Sequence, residues 1–118
     1  MSKRSIRYPA AGDSDESLGR VVNALMGALE HIESGADVQI IFDGAGTQAA
    51  AEFAKSEHKY NELFERVRSR ITGVCSYCAG AYGVKDQIEA CQLPLAEEFE
   101  GHPSFKQLLD SGYSVLTF

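Results

Sequence analysis

Cys75-Ser76-Tyr77-Cys78 is the segment of this sequence best suited to covalent chemistry. Two thiols three residues apart share one face of a helical turn, and each becomes a nucleophile once ionised. The preceding run Ile71-Thr72-Gly73-Val74-Cys75 reads as a short buried strand, and a helix is expected after it. In an open α/β sheet, ligands and reactive groups collect at the carboxyl ends of strands, which is where Cys75 falls. Backbone N–H groups and the positive end of the following helix are expected to stabilise a thiolate there and lower its pKa. Gly80 and Gly83 let the backbone approach the sulfur but weaken the start of that helix. A second reading stands beside this one: Cys75 closes a core strand and Cys78 packs beneath it, as buried free cysteines often do.

The same pair is half of a zinc site. Its other half would need Cys91 and His102, which lie in separate elements with no knuckle spacing between them, so neither a metal nor an organic cofactor is expected. Strand, C-x-x-C and helix also follow in the order of a thioredoxin-type dithiol. Against that, the pair arrives late, the chain has no Trp, and Ser-Tyr is an unusual inner dipeptide. A slow regulatory Cys75–Cys78 disulfide remains open.

A second constellation is Phe42-Asp43-Gly44-Ala45-Gly46-Thr47, where two glycines separate a buried strand from a helix. It has the outline of a phosphate-binding turn. Position 49 is Ala, so G-x-G-x-x-G is incomplete, and no Walker Lys follows. A tight β-to-α turn is the better reading. If both strands are parallel, this loop shares a sheet edge with Cys75, and Asp43, Gly44, Gly46, Tyr77 and Gly80 become candidates to line one pocket. Among the three histidines, His31 ends a helix and His58 sits in a polar stretch. His102 precedes a helix at a predicted sheet edge and is kept as a candidate neighbour of the cysteines.

Positioning these residues falls to alternating helices and strands. Leu18, Val22, Leu25, Leu29 and Ile32 recur at helical spacing, with Ser14, Asp15 or Ser17 as cap and Gly35 as stop. Val38 to Phe42 is β-branched and almost wholly apolar, as a strand buried on both faces would be. Helical stretches are expected over 48–56, 59–69 and 84–91, with a short strand within Leu93 to Phe99. Pro103 suits the first turn of a helix reaching Asp110, with Phe105, Leu108 and Leu109 facing in, and Tyr113 to Phe118 reads as the last strand. Ser5 to Tyr8 alternates weakly, so residues 1–16 are read as a weak strand and a flexible loop. The pattern predicts an α/β fold on a mostly parallel sheet with helices on both faces.

Composition limits the functional classes. The 118 residues suit one domain, 1–118, and 44% are hydrophobic. Eleven basic against seventeen acidic residues give a net charge of −6, which argues against a nucleic-acid backbone as partner. No apolar run approaches the ~20 residues of a membrane span, and no apolar stretch follows the basic start, so the expected compartment is the cytoplasm. Three cysteines are too few for a disulfide scaffold.

Val38 to Gly46, Ile71 to Cys75, and Phe105 to Phe118 with its Asp110-Ser111-Gly112-Tyr113 turn together resemble the DsrE/DsrF-like proteins. In that family a strand ending in Asn-Gly or Asp-Gly leads into a helix. A later Gly-Val-x-(x)-Cys strand carries a cysteine at its tip, and a Gly-Tyr or Gly-Phe turn opens the last strand. Gly73-Val74-Cys75 and Asp110 to Tyr113 match these features, and the likeness covers most of residues 36–118. The resemblance implies a three-layer α/β/α sandwich and assembly into homo- or hetero-oligomers. In several members the strand-tip cysteine takes up a persulfide and hands it to the next protein. Cys75 alone carries over as the persulfide site. The chain departs from relay members in having Ala79 to Gly83 where an Arg-Gly pair often stands, and in having Cys78 at all.

The expectation is therefore a cytoplasmic sulfur carrier, sulfurtransferase-like at most. In it Cys75 accepts and donates sulfane sulfur, and Cys78 is a resolving or shielding thiol. Its partners would be copies of itself in a dimer, trimer or hexamer, and sulfur-donor and sulfur-acceptor proteins. The alternative is an oligomeric binding or regulatory subunit with a structural or redox-sensing Cys75–Cys78 pair.

Overall fold

In the computed structural model, which describes residues 2–118, the longest helix starts at Ser14. The Ser14 hydroxyl accepts the Ser17 N–H at 3.2 Å, and Asp15 and Glu16 occupy the first turn, where the helix dipole favours negative charge. This helix, α1 (Asp15–Glu33), stops at Ser34 and at Gly35, whose φ of +89° suits a residue without Cβ. Its deepest residues are Val21, Ala24, Leu25, Ala28 and Leu29, with Leu18, Val22 and Ile32 at the margin. The buried face is thus rotated from the large-residue stripe toward the alanines, whose small side chains let the helix lie close on the sheet.

Five strands among the described residues form one sheet in the order β4-β3-β2-β1-β5. They are β1 (Lys3–Tyr8), β2 (Asp37–Phe42), β3 (Ile71–Cys75), β4 (Leu95–Ala96) and β5 (Ser114–Thr117). Every neighbouring pair is parallel. The connections from β1 to β4 all step the same way across the sheet, so right-handed crossovers place their helices on one face. These are α1, then α2 (Gly46–Phe53) and α3 (Asn61–Val67), then α4 (Ser76–Ala81) and α5 (Lys85–Ala90). The return from β4 to β5 runs the other way, which puts α6 (Phe105–Asp110) on the opposite face.

Strand alternation agrees with this division. Ile6 and Tyr8 of β1 and Val38, Ile40 and Phe42 of β2 join the main core with Phe64 and Val67 of α3. Tyr8 and Phe42 pack ring to ring at 4.5 Å. On the other face, Gln39 and Ile41 line a groove of about 260 Å³ with Leu108 of α6, and the Arg7 guanidinium lies 5.5 Å from the Phe105 ring. That second layer is thin and partly polar.

The thin layer explains where the sequence reading of the start of the chain fell short. β1, read from sequence as a weak strand, is paired on both sides, in register with β2 from Lys3↔Asp37 to Tyr8↔Phe42. Arg7 falls on the face that α6 only partly covers, where its guanidinium stays partly exposed, while Ser5 is fully buried; both interrupt the apolar run and hide the strand signal. The loop that follows is pinned, with the Gly12 N–H donating to Ser17 Oγ at 2.7 Å. Leu109, expected to face in, is 59% exposed, because the six-residue α6 turns only Leu108 into the core. α2 also ends earlier than expected, at Phe53. No helix among the described residues is long and apolar enough to cross a membrane.

Candidate functional site

β3 delivers Cys75 to the carboxyl edge of the sheet. Gly73 makes this approach compatible with the neighbouring strand, since a Cβ there would stand 2.6 Å from Ala96 Cβ. Cys75 is buried, and it is both the last residue of β3 and the N-cap of α4. Its Sγ accepts the Cys78 N–H at 3.4 Å, so the sulfur fills the capping role that a serine hydroxyl fills elsewhere. Cys78, one turn on, is half-buried.

His102 reaches the same point by a different route. Phe99 and His102 form a two-bond antiparallel bridge, Phe99 N to His102 O at 2.9 Å and His102 N to Phe99 O at 2.8 Å. The two residues between them, Glu100 and Gly101, have φ of +52° and +82°, the signature of a type I′ turn. This turn is fastened to α4, because the Tyr77 N–H donates to Gly101 O at 2.9 Å. His102 Nδ1 then stands 3.3 Å from Cys75 Sγ, and the Tyr77 ring tilts against the imidazole at 4.9 Å. The ligating atoms of Cys75, Cys78 and His102 all lie within 4.8 Å of one another. Cys91 is outside this cluster, its thiol turned to Ile88 O at 3.3 Å.

The electrostatics differ from the sequence expectation. Burial pushes the Cys75 thiol up to about 11, and the neighbouring Cys78 and the Asp43 carboxylate add to the rise, while the Cys78 N–H opposes it. The helix was expected to lower this value. α4 has only six residues and gives the sulfur one N–H, too little to offset the loss of water around a thiolate. Cys75 thus rests as a neutral thiol beside the His102 imidazole.

The Asp43 turn is largely structural. Arg7 clamps the carboxylate with Nε at 2.9 and 3.1 Å from its two oxygens and a terminal guanidinium nitrogen at 2.9 Å. Burial raises the Asp43 pKa, and Arg7 and then His102 hold it back. Gly44 takes φ +54°, and Gly46 passes so close to β1 that a Cβ would lie 1.7 Å from Tyr8 O. The Thr47 hydroxyl donates to Gly44 O at 2.9 Å, closing the turn. Tyr77 and Gly80 border a shallow depression with Ser76, Ala81, Lys85 and Gly101. Asp43 bears on the site through its charge. Arg7 was not a sequence candidate, and no local signal marks it, because its partner lies 36 positions away.

The DsrE/DsrF-like family profile matches residues 6–118. An uncharacterized protein of Methanocaldococcus jannaschii is 32% identical over 96 residues, covering 81% of this chain and 78% of its own. A conserved protein of unknown function from Bacteroides thetaiotaomicron has the same fold, with a TM-score of 0.69 at 20% identity, over 99% of this chain and 95% of that one.

Proposed function

The chain belongs to the DsrE/DsrF-like family, and on that premise we propose that it is a sulfur carrier which holds sulfane sulfur as a persulfide on Cys75. The observation that carries the reading is the pairing of a buried strand-tip thiol with His102 Nδ1 at 3.3 Å. His102 takes the Cys75 proton, which burial otherwise keeps in place. The thiolate attacks the sulfane sulfur of a donor persulfide, R–S–SH. A Cys75 S–S bond forms as the donor S–S bond breaks, and the electron pair leaves on the donor thiolate, which takes the proton from His102. Nothing is oxidised or reduced overall, and the step runs backwards toward an acceptor thiol.

Cys78 supplies a second exit. Its thiolate attacks Cys75 Sγ, expels hydrosulfide and leaves a Cys75–Cys78 disulfide, so the sulfane sulfur is reduced and the two thiols are oxidised. The family resemblance also supports assembly with other copies of the chain, and transfer to and from donor and acceptor proteins.

The test is incubation of the reduced protein with a small persulfide, followed by peptide mass analysis. One added sulfur on the Cys75 peptide is expected. Cys78→Ser should trap it, and His102→Ala should slow its uptake by ~10²-fold. Alkylation of native protein at Cys75 without sulfur uptake would remove the carrier and leave a redox-sensing pair. Labelling confined to Cys91 would make both cysteines structural.

A further inference from the structure

We propose that Cys75 Sγ, Cys78 Sγ and His102 Nδ1 form a three-ligand site for Zn²⁺, with the fourth position open. The inference uses the same residues as the carrier reading but does not depend on sulfur transfer. Two sulfurs and one imidazole nitrogen lie within 4.8 Å of one another. Tetrahedral zinc, with Zn–S near 2.3 Å and Zn–N near 2.05 Å, asks for S···S and S···N separations of about 3.5–3.8 Å. The Cys75–His102 edge is already 3.3 Å, so side-chain rotation alone can complete the set.

The donors are also held before any metal arrives. Cys75 and Cys78 are fixed at i and i+3 by the cap of α4, where the Cys78 N–H meets Cys75 Sγ. His102 is fixed by the type I′ turn and by the Tyr77 N–H bond to Gly101 O. Two thiolates and one dication sum to zero charge, so the filled site leaves no net charge on its three ligands. Thiolate and imidazole ligands select zinc over the hard cations that carboxylates hold. The open side is the half-buried one, toward Cys78 and His102, where three protein ligands and an exchangeable fourth are the pattern of a reactive rather than a closed structural site.

From sequence, a four-ligand zinc site with Cys91 and His102 as its other half is set aside because those two residues show no knuckle spacing. Cys91 lies outside the cluster, and its carbonyl is taken by the Arg68 guanidinium. The site has a consequence for the pair: zinc occupies both thiols, so the metal-bound protein cannot accept sulfur, and metal and sulfane sulfur compete for one place.

The experiment is titration of the reduced protein with Co²⁺ and then with Zn²⁺ against a chromophoric chelator, with no sulfur donor present. One Co²⁺ per chain is expected, with thiolate-to-cobalt charge-transfer absorption and the strong visible bands of tetrahedral cobalt, both lost when one equivalent of Zn²⁺ is added. Cys78→Ser and His102→Ala, at half-buried positions, should each weaken binding by at least ~10-fold. Cys91→Ser should bind as the parent does. Zinc should also protect Cys75 and Cys78 from alkylation. Absent charge-transfer absorption, binding unchanged in Cys78→Ser and His102→Ala, or binding lost in Cys91→Ser would each overturn the proposal. A chain that takes up sulfur but no metal overturns this proposal alone. One that binds metal but takes up no sulfur overturns only the carrier reading.

Discussion

At the scale of single residues, β1 buries two hydroxyls, those of Ser5 and Tyr8, that find no hydrogen-bond partner. Tyr8 is buried to 1% exposure, and its hydroxyl finds no hydrogen-bond partner. An unpaired buried hydroxyl destabilises a fold, so Tyr8→Phe should raise stability by about 1 kcal/mol, read as a higher urea midpoint with an unchanged slope. The pH dependence follows from the same burial, which raises the Tyr8 pKa above its ordinary value. Above about pH 10 the unfolded phenol releases its proton while the folded one keeps it. The unfolded state then binds fewer protons, so stability falls as pH rises. The effect is absent below pH ~10, and Tyr8→Phe should lose stability more slowly than the parent through pH 10–11. Equal losses in both proteins would show that Tyr8 is not the alkaline-sensitive group.

At the scale of elements, two turns place the site and tolerate different changes. Glu100 holds φ +52° in the hairpin that presents His102, a conformation that costs a side-chain-bearing residue about 1 kcal/mol and favours Asn before Gly. Glu100→Asn should therefore stabilise the protein by ~0.5–1 kcal/mol and leave Cys75 alkylation unchanged. A destabilised variant would mean that the Glu100 side chain contributes more than the backbone strain costs. Gly46 is the opposite case. A Cβ there would lie 1.7 Å from the Tyr8 carbonyl oxygen, and backbone cannot swing aside as a flexible side chain can. Gly46→Ala should cost roughly 2–4 kcal/mol by urea unfolding. A loss below ~0.5 kcal/mol, the range of an ordinary surface change, would show that α2 can shift freely against β1.

At the scale of the whole molecule, the sheet is covered unevenly. The face under α1 and α3 holds the main core, while the α6 face keeps a groove beside Gln39, Ile41 and Thr72. β5 is an edge strand whose residues are mostly exposed, and Phe99 and Tyr77 stand 67% and 63% exposed near the cysteines. A small domain with such surfaces gains from association. The expected outcome of light scattering is a dimer, trimer or hexamer, and a monomer at every practical concentration would remove that expectation.

Local pattern alone was enough for the elements whose signal is contiguous. The period of α1, the apolar run of β2, the Gly-Val-Cys strand and the alternation of helix with strand led to a parallel α/β fold and to the DsrE/DsrF-like family, because hydrophobic spacing and turn residues are written along the chain. What depended on contacts between distant residues was decided only in three dimensions. β1 accommodates Arg7 because α6, about a hundred positions away, covers its second face thinly. Arg7 meets Asp43 across 36 positions, and His102 meets Cys75 across 27. The direction of the Cys75 pKa shift belongs to this second group. It depends on how much water the folded chain removes from the sulfur and on how short the capping helix turns out to be, and neither is a property of the residues beside it in sequence.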